Sequence, residues 1–91
     1  MTMYFNNKNG NTYDVLARYF VEAMLLKSEG GNYIVARWIS GGEWGSGHYW
    51  LDNEEGAYND FYSIVTDAIN ERMEGKNYIT IDKVKELYAE G

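Results

Sequence analysis

Ninety-one residues suffice for one hydrophobic core and are too few for two, so a single domain over 1–91 is expected. The absence of cysteine excludes a disulfide framework, thiol catalysis and cysteine-based zinc sites, and no stretch reaches the roughly 18 apolar residues of a membrane span. With 14 acidic against 8 basic side chains the net charge is −6, which disfavours direct binding to nucleic acid and favours a basic protein partner.

In chain order, Met3–Phe5 reads as a short strand and the Asn-rich run Asn6–Asn11, with Asn9-Gly10 inside it, as a turn. Thr12–Phe20 returns as a second strand, although the run from Tyr13 to Leu26 also fits helical spacing. Val21–Lys27 and Asn32–Ile39 flank Ser28-Glu29-Gly30-Gly31 and predict a hairpin. Alternation puts Tyr33, Val35, Arg37 and Ile39 on one face and Ile34, Ala36 and Trp38 on the other, and the second set is expected to receive a helix. Ser40–Gly47 reads as a Gly-rich loop or bulge and His48–Leu51 as a short last strand.

The stretch from Asp52 to Gly75 predicts one long amphipathic helix. At 100° per residue, Ala57, Tyr58, Phe61, Tyr62, Ile64, Val65, Ala68 and Ile69 fall within a sector of about 160°. Asp52 or Asn53 can cap its start, Glu54 and Glu55 suit its positive end, and Gly75 can stop it. After it, Asn77–Ile81 leads into a short terminal helix capped by Thr80 or Asp82, with Val84, Leu87 and Tyr88 inward. The expected fold is α+β: a small antiparallel sheet of about four or five strands, one long helix packed on it and a short C-terminal helix.

The polar side of the long helix carries Asp60, Asp67, Glu71 and Glu74, with Asn59, Ser63, Thr66 and Asn70 beside them. Between Arg37 and Arg72 there is no basic residue and there are seven acids, Glu43, Asp52, Glu54, Glu55, Asp60, Asp67 and Glu71, so the charge excess lies in one block. Asp60, Asp67, Glu71 and Glu74, together with Glu54 and Glu55, are therefore the candidate partner-binding residues; solubility is the plainer reason for the same acids.

A second candidate is the run Gly41–Trp50, in which four glycines accompany Trp44, His48, Tyr49 and Trp50. These four side chains form the alternative ligand-binding set, an aromatic platform for a nucleotide-like small molecule. The Gly-x-Gly within it lacks the continuation of a dinucleotide or phosphate loop. His48 is the sole histidine, no metal-ligand spacing surrounds it, and no orienting acid stands beside it and Ser46, so neither an enzyme nor a cofactor is expected. Nothing at the start suggests export, so a cytoplasmic monomer or homodimer is expected.

The run Tyr33-Ile34-Val35-Ala36, then Trp44–Trp50, then Ala57 and Asp60-Phe61, looks like small proteins encoded by phages and mobile elements. The stretch Asn53-Glu54-Glu55 to Tyr58-Asn59-Asp60 is similar to part of a small acidic anti-CRISPR inhibitor of a Cas nuclease. The likeness implies a host-defence antagonist that acts by binding a protein, in some cases at a site meant for DNA. A phage structural or regulatory interaction protein is the remaining alternative.

Overall fold

The computed structural model describes residues 3–73 and 78–90. The predicted stop at Gly75, the acid Glu74 and Asn77 lie outside them. Five strands, β1 (Met3–Asn6), β2 (Thr12–Tyr19), β3 (Ala23–Lys27), β4 (Tyr33–Ser40) and β5 (Glu43–Trp50), precede two helices, α1 (Glu54–Met73) and α2 (Ile81–Glu90). The strands form one antiparallel sheet in the order β1-β2-β3-β4-β5, an α+β meander in which each strand pairs with its neighbours in sequence.

Both faces of the central strands are covered, which is why β3 is apolar throughout, with Ala23, Met24, Leu25 and Leu26 all buried. On one face Ala23, Leu25, Tyr33 and Val35 pack against Ala57, Phe61 and Val65 of α1 and Val84 of α2. On the other, Met24, Leu26, Ile34, Ala36 and Ile39 are closed over by Phe5, Tyr13, Val15 and Trp44. The sheet curls to do this. The first hairpin loop meets the last turn, where the Lys8 amide donates to Gly42 O at 3.0 Å and the Lys8 ammonium pairs with Glu43 at 2.6 Å. Trp44 stacks edge-on to Tyr13 at 5.7 Å inside the curl.

Three expectations about faces are corrected. The helix lies on the Tyr33 and Val35 face, not on that of Ile34, Ala36 and Trp38. The strand order explains this: Ile34 and Ala36 face the interior of the curl, which the aromatic side chains of β1, β2 and β5 fill. Ile39 leaves the face it was predicted to share with Val35, because Trp38 takes a left-handed φ of 59° and turns the tip of the β4–β5 hairpin over without changing its register, Arg37 still opposite Ser46 and Ile39 opposite Trp44. In α2, Val84 is buried and Tyr88 packs on Phe61 at 5.3 Å, whereas Leu87 is exposed. This short helix offers one narrow seam, and Leu87 stands about 100° around from Tyr88.

The Gly-rich loop expected at Ser40–Gly47 is a strand. Only Gly41 and Gly42, with φ of 60° and 78°, form the turn, as a two-residue hairpin requires, and β5 begins at Glu43. The ambiguity over β2 resolves as strand with a bulge between Val15 and Ala17. It moves apolar residues from one face to the other: Tyr13 and Val15 enter the curl, Ala17 and Tyr19 turn to the helices.

Asn53 caps α1, its Oδ1 accepting the Gly56 amide at 2.9 Å and its carbonyl the Ala57 amide at 3.1 Å. Thr80 caps α2 by accepting the Lys83 amide at 3.2 Å. Between the helices, Asn70 accepts the Ile79 amide at 2.7 Å and donates to its carbonyl at 2.9 Å, so this residue is tied to the interhelical link. Tyr88 donates its hydroxyl to Arg18 O at 2.9 Å, anchoring α2 to β2.

Gly56 is explained by packing. A Cβ there would stand 2.7 Å from Cε3 and Cζ3 of the Trp50 ring and 2.6 Å from the Asn53 amide nitrogen. Helix propensity alone favours Gly56→Ala by about 1 kcal/mol. The expected result is the reverse sign: chemical denaturation should show Gly56→Ala less stable than wild type, while Ser63→Ala on the open side of the same helix stays within about 0.5 kcal/mol.

Burial pushes the Tyr58 and Tyr88 hydroxyls above the ordinary tyrosine value, and for Tyr58 the Glu54 carboxylate adds to the effect. The neutral forms are favoured in the folded state, so their contribution is complete below the unfolded value near 10 and is lost as pH rises through the raised folded values. An alkaline titration followed by tyrosinate absorbance should show two late-ionising groups, both missing from the Tyr58→Phe, Tyr88→Phe variant.

Candidate functional site

The outer side of α1 is set by which residues the sheet does not claim. Glu55, Asn59, Ser63, Asp67 and Glu71 are exposed and succeed one another every four residues, a single row along about 24 Å of helix axis. Glu54 and Asp52 extend it at the N-terminal end, both exposed. No basic residue stands in the row. Asp67 and Glu71 lie one turn, about 6 Å, apart along the axis. Arg72 turns away, pairing with Glu22 and lying over the Tyr19 and Phe20 rings at 5.6 and 5.8 Å.

Two of the predicted acids are partly committed elsewhere. Glu54 accepts the Tyr33 hydroxyl at 3.2 Å. Asp60 does not stand in the open row: its side chain is only 17% exposed, and Oδ2 accepts the Trp50 indole N–H at 3.1 Å and lies 2.6 Å from His48 Nδ1. Helical angle alone placed Asp60 with the solvent-facing acids. The sheet reaches it because β5 pairs His48 with Val35 and Trp50 with Tyr33, putting both rings on the face that α1 covers. The orienting acid missing from the sequence around His48 is therefore Asp60, brought from the helix. His48 itself is 55% exposed and open to solvent.

The four residues of the aromatic set do not converge. His48 and Trp50 face α1. Trp44 lies on the opposite side, across Gly47, where a Cβ would meet its indole nitrogen at 2.9 Å, and its N–H points to the Tyr49 hydroxyl at 3.4 Å. One cleft, of about 160 Å³, lies between Asn7–Asn9 and Gly42–Trp44, and another, of about 290 Å³, between Gly10–Tyr13 and Ser28–Gly30. The first is well below the roughly 300–1,000 Å³ usual for small-molecule sites, the second is at its lower edge, and neither is lined by His48, Tyr49 or Trp50.

Among the described residues no helix is long and apolar enough to cross a membrane. Compared with known proteins, the chain matches no family model, no curated sequence and no solved structure.

The split between committed and open carboxylates has a thermodynamic signature. Asp60→Ala leaves the Trp50 N–H without its acceptor and is expected to cost about 1–3 kcal/mol. For a domain of this size each kcal/mol lowers the unfolding temperature by about 4–8 °C. Asp67→Ala should change the stability by less than about 0.5 kcal/mol. Equal losses in the two variants, measured by thermal denaturation, would contradict the division.

Proposed function

We propose that the protein is a non-enzymatic inhibitor of the host-defence type, which presents the carboxylates of α1 to the basic, nucleic-acid-binding surface of a partner protein. The observation that carries this reading is the exposed row Glu55, Asn59, Ser63, Asp67 and Glu71, free of basic residues, on a chain of net charge −6. A solvated helix face ordinarily sets a lysine or arginine four residues from its acids, which stabilises the helix by a few tenths of a kcal/mol per pair. This face forgoes that gain and projects one sign of charge.

The acids also sit on a rigid support. Ala57, Phe61 and Val65, in line with the opposite side of α1, are buried in the sheet, so the row is held by the core. A groove built to bind phosphates meets carboxylates already in place and loses little conformational entropy on binding. Attraction between a negative row and a positive groove accelerates encounter and weakens as salt screens it. Asp67, Glu71, Glu55 and Glu54 are the contact residues in this reading, and Asp60 supports them from beneath through His48 and Trp50.

The test is capture of host proteins by the tagged chain, with bound proteins identified by mass spectrometry. The expected partner is released by high salt, is displaced by duplex DNA, and is lost or bound at least about tenfold more weakly by the Asp67→Lys, Glu71→Lys variant. Undiminished capture by that variant at low salt would sink the proposal.

A further inference from the structure

Two of the chain's three arginines, Arg37 and Arg72, bring their guanidiniums to rings beside the turn from β2 into β3, Arg37 over Trp38 and Arg72 over Tyr19 and Phe20. Here the surface is apolar. Phe20 is 61% exposed, Val21 59% and Trp38 55%, and backbone bonds set the segment of Trp38 beside that of Val21: the Trp38 amide donates to Glu22 O at 3.2 Å and the Ile39 amide to Val21 O at 2.8 Å. Phe20 and Trp38 have left-handed φ values of 52° and 59°, a region bulky residues rarely adopt. Two large rings are thus held outward at the cost of backbone strain, a pattern that concentrates at functional sites.

Cations frame the rings. The Arg37 guanidinium stacks on Trp38 at 4.6 Å, and its buried Nε has no hydrogen-bond partner among the described residues. No carboxylate pairs with Arg37 among those residues, although the chain carries 14 acids. Arg72 lies over Phe20 on the other side and is partly neutralised by Glu22.

We infer that Phe20, Val21 and Trp38, with Arg37 and Arg72 at their edge, form a second docking surface, and that its occupant is a short acidic segment of another protein carrying a large apolar side chain. The apolar residue seats between Phe20 and Trp38, and a neighbouring carboxylate takes the Arg37 guanidinium, whose planar fork matches it. Size favours a segment over a second folded copy: the three exposed side chains offer roughly 300 Å², against about 800 Å² per partner in a standard stable interface. Charge favours a peptide over nucleic acid. Affinity for a phosphate backbone grows with the number of phosphates neutralised, and two arginines, one already paired, on a chain of charge −6 supply few.

The test is fluorescence anisotropy with four labelled probes: a short peptide with Trp among Asp and Glu, the same peptide with Lys in place of the acids, the acidic peptide with Ser in place of Trp, and single-stranded oligothymidine. The acidic Trp peptide alone should bind, and Trp38→Gly and Arg37→Glu should each weaken it at least about tenfold. Glycine accepts the φ at position 38, so Trp38→Gly should fold with an unfolding temperature no lower than wild type. Asp67→Lys, on the acidic row, should not weaken binding. No binding by the acidic Trp peptide, equal binding by the Lys peptide, binding by oligothymidine alone, or undiminished binding by Trp38→Gly would each overturn the assignment.

Discussion

The structure depends on the β3–β4 hairpin being apolar on both sides. Leu25 and Val35 need a cover on one face, Leu26 and Ala36 on the other, and all four are fully buried. A chain of this length has one long helix to offer, and it can cover one face only. The other face is covered by curling the sheet, so that β1 and the β4–β5 tip come together over it. This second cover is aromatic: Phe5, Tyr13 and Trp44 fill a wide gap with few side chains, each burying far more area than an aliphatic residue. The high aromatic content follows in part from this geometry and in part from rings the fold leaves outside.

That arrangement explains which parts of the architecture were legible in the sequence. The long helix was, because one apolar sector, an Asn cap and paired acids in the first turn agree at every level of description. So was the hairpin about Gly30-Gly31. The faces of the sheet were not, since alternation presumes an unbroken pleat. The bulge at Leu16 and the left-handed Trp38 each exchange faces midway, and neither residue type announces such a conformation. The Gly-rich stretch of β5 misled for a different reason: glycine signals a turn in general, but Gly47 is there to admit the Trp44 indole.

The candidate site was legible in its charge and not in its contacts. Asp67, Glu71 and Glu55 stand where helical spacing puts them, whereas Asp60, only one helical turn before Ile64, is drawn under by His48 and Trp50 from a strand a dozen residues earlier. Long-range pairings of this kind depend on where an edge strand lies relative to a helix, which no local pattern encodes. Open carboxylates run along α1 from Glu55 to Glu71, while Arg37 and Arg72 turn their guanidiniums onto the Trp38 and Phe20 rings.

The meander has a consequence for how the chain comes off the ribosome. Every strand pairs with the one made just before or just after it, so the sheet can zip up hairpin by hairpin without waiting for distant sequence. Its cover on the helix side arrives last. Until α1 has been synthesised, Leu25, Val35 and Tyr33 face water as a bare apolar surface, and α2, which reaches back across 70 residues to Arg18, closes later still. The last two fifths of the chain therefore act on the first three fifths much as a chaperone would, shielding the apolar face of the sheet.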